Sequence, residues 1–131
     1  MSKALIVYAH PNPASYNHAV KEKVQSILEL NGYQVSVRDL YQLKFDPILT
    51  GEDFKGIKTG NPKADVKAEQ AFINAADLLV FVFPIWWFNM PSVLKGYIDR
   101  VLSYGFAYTF DAAAKQTKGL LTGKKVIILN T

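Results

Sequence analysis

The feature that most constrains the fold is an unbroken apolar run at residues 78–83, LLVFVF, in the middle of the chain. It carries neither charge nor polar alternation, so both of its faces must be covered, as in a central strand of a parallel sheet. After a short turn, apolar residues recur at the spacing of a helix and form one stripe: Val93, Leu94, Tyr97, Ile98, Val101 and Leu102. The turn between them, PIWWFNMPS, therefore lies at the carboxyl end of a strand, where open α/β sheets bind ligands.

Composition narrows the class of protein. With 131 residues, half of them hydrophobic, the chain is predicted to form a single domain over 1–131. It has no cysteine, which excludes disulfides and thiolate chemistry and fits a reducing compartment, so a cytoplasmic location is expected. No apolar run reaches the ~18 residues of a membrane span, so no membrane insertion is expected. The net charge of +4 comes with scattered lysines, so nucleic-acid binding is only weakly indicated and is not expected, and small anionic ligands suit this charge equally well.

The chain begins with a second apolar strand, 4–9, which ends at His10-Pro11-Asn12-Pro13, where the prolines disfavour helix. A helix follows, capped by Ser15 or Asn17 and ended by Asn31-Gly32. Its predicted apolar stripe consists of Tyr16, Val20, Val24, Ile27 and Leu28. Residues 34–40 alternate between apolar and polar side chains more than the first strand does, as expected of an outer strand with one solvent-exposed face.

The second half completes the topology. Residues 41–63 lack a regular period and are predicted to be a long surface loop, and a helix is predicted over 64–76. Residues 105–123 read as irregular, and a fourth strand is predicted over 126–129. With right-handed crossovers, this order favours an α/β fold whose parallel strands lie in the order 2-1-3-4. The loops after the first and third strands would then meet at the switch point.

The loop after the first strand has the groups that an anion site needs. Ser15 and Asn17 carry side-chain donors, and the first turn of the helix has free N–H groups. Neither a G-x-G-x-x-G motif nor a P-loop is present, and Ser15 as a helix cap alone is an equally good interpretation. His10 is either a structural hydrogen-bond partner or a phosphate ligand, and His18 is expected to be a surface residue.

The aromatic residues allow two interpretations. Trp86, Trp87 and Phe88 either belong to the core or have at least one ring in the ligand crevice. Tyr108 and Phe110 would share one side if their segment is extended. No catalytic triad, acidic pair or metal cluster can be assembled at the loop ends, so no metal is expected and the chemistry would come from a bound cofactor.

Three segments, ALIVYAHPNPASYNHA, ADLLVFVFPIWWFNMPSVLKGYIDRVL and FAYTF, carry a resemblance that covers nearly the whole chain. The sequence resembles the NAD(P)H:quinone oxidoreductases of the flavodoxin-like fold, which include drug-activity modulators and ancillary subunits of potassium-efflux systems. The resemblance implies a three-layer α/β/α fold and a noncovalent flavin, FAD or alternatively FMN. The phosphates would lie along His10, Ser15, Tyr16 and Asn17, and the rings along Pro84, Ile85, Trp86, Trp87 and Phe88.

By the same resemblance, Tyr108 and Phe110 would wall a substrate pocket at the interface of a homodimer. Hydride would pass from NAD(P)H to a quinone-type acceptor in a ping-pong scheme. Members of the family continue past the fourth strand to a Gly-Gly loop and a fifth strand, so the chain is expected to be incomplete at its C-terminus and residues 126–129 to form an exposed edge. An inactive truncated form or a non-catalytic regulatory or interaction subunit is the alternative.

Overall fold

The computed structural model describes all 131 residues and has a parallel four-stranded sheet at its centre. The chain has six strands in all, four of which form this sheet. They are β1 (Lys3–Tyr8), β2 (Gln34–Asp39), β3 (Leu78–Phe83), β4 (Tyr108–Asp111), β5 (Gln116–Gly119) and β6 (Lys125–Asn130). The sheet order is β2-β1-β3-β6, and every neighbouring pair is parallel. Because β6 is the fourth strand predicted from the sequence, the predicted order 2-1-3-4 is confirmed.

Helices cover both faces of this sheet. They are α1 (Tyr16–Leu30), α2 (Gly51–Thr59), α3 (Ala64–Ala75) and α4 (Ser92–Val101). On one face, Ile6, Val80 and Val82 pack against α1. On the other face, Leu5, Val7, Leu79 and Phe83 belong to the core that includes residues of α3 and α4. The predicted three-layer α/β/α arrangement is therefore confirmed, and none of its helices combines the length and apolarity of a membrane span.

The α1 stripe differs from the prediction at two positions. Val20, Val24 and Leu28 pack on the sheet, but Tyr16 and Ile27 are exposed. Tyr16 is the first residue of the helix and lies beside the loop after β1, beyond the part of α1 that covers the sheet. Its ring is therefore available at the surface near the switch point.

The prediction of an unbroken loop over 41–63 is wrong, because α2 lies within it. Thr50 and Asp53 form a capping box in which the Asp53 carboxylate accepts from the Thr50 backbone N–H at 2.9 Å. Gly60 ends the helix in the left-handed conformation. The capping box and the Thr59-Gly60 stop were present in the sequence but were interpreted as turn signals.

A buried arginine of α4 forms ion pairs with α2 and α3. The guanidinium of Arg100 is completely buried and donates to both carboxylate oxygens of Asp53, to Asp65 at 2.6 Å and to the Asp46 carbonyl at 2.8 Å. Burial acts to raise the pKa of Asp53, but hydrogen bonds from Arg100 and Thr50 outweigh it and hold that pKa below its usual range. The Arg100 hydrogen bond likewise lowers the pKa of Asp65. The packing of α2 and α3 against α4 therefore depends on the Arg100 cation.

Residues 105–123 are not irregular throughout, because β4 and β5 form an antiparallel hairpin. In β4, Tyr108 and Phe110 alternate with Thr109, so both rings lie on one side and both are exposed. Tyr108 packs edge to face against Tyr104, with ring centroids 5.8 Å apart.

Strand β6 lies at the edge of the sheet with much of its apolar surface exposed. Val126, Ile127 and Ile128 are all exposed although they sit beside the buried β3. The expected apolar edge strand is therefore present in the structure.

Candidate functional site

The loop between β1 and α1 is held by its own polar side chains. The Asn12 backbone N–H donates to His10 Nδ1 at 3.0 Å, and the Ala14 N–H donates to Asn12 Oδ1 at 2.9 Å. The Ser15 N–H donates to the Asn12 carbonyl at 3.1 Å. Because His10 Nδ1 accepts, the neutral ring carries its proton on Nε2.

The start of α1 has unpaired donors. Ser15 is the N-cap, and its Oγ accepts from the His18 N–H at 3.0 Å. The backbone N–H groups of Tyr16 and Asn17 have no hydrogen-bond partner. These donors lie at the positive end of the helix dipole, so the site is suited to an anion. Ser15 does cap the helix, and capping leaves both N–H groups free.

Asn17 is buried at the base of this loop. Its Nδ2 donates to Thr131 Oγ1 at 3.3 Å, which joins α1 to the residue after β6. Its Oδ1 is buried and has no hydrogen-bond partner in the chain. An unpaired buried acceptor costs free energy, about 1–3 kcal/mol, so it marks a place where a ligand hydroxyl would be favourable.

The loop after β3 contains an aromatic turn, which we define as residues Trp86 to Asn89. Trp86 and Asn89 exchange two backbone hydrogen bonds, of 2.8 and 3.1 Å. Trp87 and Phe88, between them, have φ angles of 51° and 62°, and their exposed fractions are 94% and 97%. Bulky residues in this left-handed region are strained, which is a frequent property of ligand-binding sites. Their N–H groups have no partner in the chain.

The two loops are in contact at the carboxyl edge of the sheet. The rings of His10 and Trp86 pack edge to face with centroids 5.7 Å apart, and the Ala9 N–H donates to the Val82 carbonyl at 3.1 Å. The residue after β6 joins them, because the Ile85 N–H donates to the Thr131 carbonyl at 2.9 Å. The expected meeting of the loops after the first and third strands is therefore confirmed.

The other sequence-predicted residues are placed as follows. Pro84 is buried shortly before the aromatic turn, and Ile85 and Trp86 are partly exposed. Tyr108 and Phe110 lie on the separate β4–β5 hairpin. Sequence reasoning missed Thr131, and the signal for it was its place directly after the fourth strand of the same sheet.

A second feature that sequence reasoning missed is a cavity of about 510 Å³ beside the β1–α1 loop, on its β2 side. Tyr8, His18 and Lys21 line it from β1 and α1, and Asp39 and Tyr41 line it from the end of β2. The Tyr8 hydroxyl is hydrogen-bonded to His18 Nδ1 at 3.3 Å, and burial raises the pKa of Tyr8. His18, expected to be a surface residue, is partly exposed and forms part of the wall of this cavity.

Residues 2–131 match a protein family described as having a flavodoxin-like fold. The chain belongs to this family. It is similar to an uncharacterized NAD(P)H oxidoreductase of Haemophilus influenzae, with 42% identity over 93% of this chain and 60% of the relative. The structure is similar to the NAD(P)H:quinone oxidoreductase from Methanothermobacter marburgensis, with 32% identity and a TM-score of 0.88 over 98% of this chain and 66% of that one.

A further similar structure is that of general stress protein 14 from Treponema denticola in complex with FMN, with 30% identity, a TM-score of 0.67, and 98% and 60% of the two chains covered. The resemblance to the quinone oxidoreductases of the flavodoxin-like fold is confirmed by these matches. This flavodoxin-like chain spans about 60% of the length of the Haemophilus relative.

Proposed function

We propose that this flavodoxin-like chain binds a flavin and provides the hydride-transfer site of an NAD(P)H:quinone oxidoreductase. The proposal depends above all on one observation, the contact of His10 with Trp86, which joins an anion site to an exposed aromatic turn. A flavin has an anionic tail and a flat ring system with polar edges, and these two loops offer matching groups. The similarity to proteins named as NAD(P)H oxidoreductases supports the same function.

The residues of the β1–α1 loop fit the tail of a flavin. The free N–H groups of Tyr16 and Asn17 and the Nε2–H of His10 are donors for phosphate oxygens. The unpaired Oδ1 of Asn17 would accept from a ribityl hydroxyl. We assign phosphate binding to His10, Ser15, Tyr16 and Asn17, with Ser15 acting by holding the first turn of α1 in place.

The aromatic turn has groups that match the ring system of a flavin. The free N–H groups of Trp87 and Phe88 are donors for a polar ring edge, and Pro84, Ile85 and Trp86 form the wall beside it. When bound, the flavin supplies the two-electron redox chemistry. The two backbone donors stabilise negative charge at the ring edge, because they are already oriented and need no reorganisation. The rings of Trp87 and Phe88, which are exposed in this chain, would cover that edge in the complex.

We propose FAD as the cofactor, with FMN as the alternative, which the FMN complex of the Treponema protein supports. NAD(P)H would be the electron donor and a quinone-type compound the acceptor, and the two would bind in turn in a ping-pong scheme. Since NAD(P)H is available under the reducing conditions of the cytoplasm, we expect the protein to act there.

The substrate pocket in this proposal is completed by a second copy of the chain. Trp87 and Phe88 are almost fully exposed, and Tyr108 and Phe110 present two further rings on the hairpin. Exposed aromatic groups of this kind are typical of interface cores. We therefore propose a homodimer in which Tyr108 and Phe110 wall the pocket.

The proposal is tested by purifying the chain, adding FAD or FMN, and recording flavin absorbance and the quenching of flavin fluorescence. Uptake of flavin, followed by NAD(P)H oxidation with menadione as acceptor, is the expected result. A colourless protein that takes up neither flavin contradicts the proposal. Flavin uptake with NAD(P)H oxidation at background level would instead favour a non-catalytic interaction subunit.

A further inference from the structure

The junction of α2 and α3 contains a groove that the proposed function does not use. Its volume is about 520 Å³, within the usual range of small-molecule pockets, roughly 300–1,000 Å³. The lining comes from α2, from the connection at Asn61 and Pro62, and from the first turn of α3. It shares no residue with the β1–α1 loop or the aromatic turn, so the groove is not part of the site described above.

Three lysines give this groove its charge. Lys55 belongs to α2, and Lys63 and Lys67 lie at the start of α3. None of their ammonium groups has a carboxylate oxygen within 4 Å. Glu52 is the one acidic residue of the lining, so three lysines against one glutamate leave a net charge of +2. A concave lining of this charge attracts a multivalent anion.

The charges at the start of α3 have the unfavourable sign for a helix. Lys63 is the N-cap residue and makes no side-chain capping bond, and the acidic residue of the first turn, Asp65, is paired with Arg100. Cations at this end oppose the helix dipole, and Lys63 and Lys67, four residues apart, repel each other. The N–H groups of Ala64 and Asp65 have no hydrogen-bond partner. A bound anion would offset this repulsion, and local rules of this kind are most often broken at functional sites.

The backbone around the groove is held in place without a ligand. A Cβ atom at Gly56 would lie 2.9 Å from the Asn61 carbonyl oxygen and 3.0 Å from the Pro62 Cα atom, so the connection rests directly on α2. The Asn61 N–H donates to the Gly56 carbonyl at 2.9 Å. Arg100 fixes the first turn of α3 through Asp65. A ligand would therefore bind with little loss of backbone entropy.

We infer that this groove binds a small ligand that carries two or more phosphate groups. The oxygens of one phosphate would accept from the free N–H groups of Ala64 and Asp65. The lysines come from both walls, so the ligand needs negative charge at more than one place. A single phosphate would also fill only a small part of the volume. The inference does not depend on flavin binding or on the proposed function.

The test measures the affinity of the full, flavin-free chain for inorganic pyrophosphate by calorimetric titration. The double replacement Lys63→Gln and Lys67→Gln removes two of the three positive charges and is expected to weaken binding at least ~10-fold. The matched control is Lys23→Gln with Lys118→Gln. These two lysines are exposed on α1 and β5, outside the groove, so the same change in net charge should leave the affinity unchanged.

The stability of the groove variant without a ligand is a second readout. Because the double replacement removes repulsion at the start of α3, the variant should be as stable as the unchanged protein or more stable in urea denaturation. Weakened binding would then not come from a damaged fold. A lower stability of the groove variant would contradict the unfavourable charges on which the inference rests.

The location of the bound anion is decided by amide NMR, since pyrophosphate can also bind at the start of α1. Movement of the Ala64 and Asp65 amide signals on adding pyrophosphate is the expected result. Signals that move only at Tyr16 and Asn17 would overturn the inference. So would the absence of binding, an unchanged affinity in the groove variant, or an equal loss of affinity in the control.

Discussion

Gly96 of α4 lies so close to Pro47 that a Cβ atom at residue 96 would overlap the Pro47 carbonyl oxygen and Cα atom. The backbone of the segment before α2 therefore rests directly on the backbone of α4. The same segment provides the Asp46 carbonyl that accepts from Arg100. Residues 46–53 are thus fixed to α4 by one close approach and one buried cation.

Gly96→Ala is expected to destabilise the protein by about 1–3 kcal/mol, because the backbone of Pro47 must move to admit the methyl group. The gain in helix propensity, about 1 kcal/mol, is smaller than this steric cost. Urea denaturation measures the change. Gly51→Ala is the matched control, since a Cβ there meets nothing within 4 Å, and it should be neutral or slightly stabilising. Equal stability of the two variants would contradict the close approach.

Arg100→Met is expected to cost about 3–5 kcal/mol, because it leaves the buried Asp53 carboxylate without its cation. Lys95→Met on the same helix breaks an exposed pair with Asp99 and should cost at most about 1 kcal/mol. Adding Asp53→Asn to Arg100→Met should recover part of the loss, as measured by urea denaturation. A double variant that is less stable than Arg100→Met would show that the cost does not come from an unpaired charge.

The free energy of unfolding is expected to fall as the pH drops below about 4. The pKa values of Asp53 and Asp65 are lowered in the folded state, so both groups release their protons more readily there than in the unfolded chain. Their stabilising contribution is complete above the ordinary aspartate pKa and is lost as the pH falls through the lower folded values. Urea denaturation at pH 7, 4 and 3 measures this loss, which should be smaller in Asp65→Asn. If the free energy of unfolding of Asp65→Asn falls with pH as steeply as that of the unchanged protein, Asp65 does not contribute to this loss.

Replacing Trp87-Phe88 by Asn-Gly is expected to raise stability by about 1 kcal/mol or more while abolishing flavin binding. Both positions have positive φ, which Asn and Gly adopt with less strain than bulky aromatic residues. Thermal unfolding and flavin fluorescence measure the two effects. The Ala-Ala replacement removes the same rings but keeps the strain, so it should lose flavin without gaining stability. A gain in stability from Ala-Ala would assign the effect to the rings instead of to the backbone.

Two replacements of Ser15 separate its capping role from the anion site. Ser15→Ala should lower stability by about 0.5–2 kcal/mol through loss of the bond to the His18 N–H. Ser15→Asp keeps a capping acceptor and should preserve stability, but its negative charge should weaken flavin binding at least ~10-fold. Flavin affinity that is unaffected by Ser15→Asp would place the phosphate elsewhere.

The sheet order was predictable because burial on both faces leaves a clear pattern in β1 and β3. Leu5, Val7, Leu79 and Phe83 face one core, and the residues between them face the other, so neither strand tolerates a polar position. The same logic predicted that the loops after these strands meet. α2 was missed because Thr50-Gly51 and Thr59-Gly60 are both turn signals in isolation, and the capping box of Thr50 and Asp53, which marks the start of a helix, was not recognised.

The shape of the site was less predictable than its residues. Nothing in the sequence around Trp87 and Phe88 indicates a left-handed backbone, since bulky aromatic residues rarely adopt it. The cavity was missed because it is formed by the parallel register that sets Tyr8 beside Asp39, a relationship between residues that are distant in the chain. Its lining could be recognised only once β1 and β2 were seen side by side.

The hydrogen bond from the Asn12 N–H to His10 Nδ1 determines what this histidine offers to a ligand. With Nδ1 occupied, the uncharged imidazole turns its remaining N–H outward and acts as a directional donor. Recognition by His10 therefore does not require the ring to gain a proton. An anion beside His10 would be held by an N–H donor whose direction the loop backbone fixes.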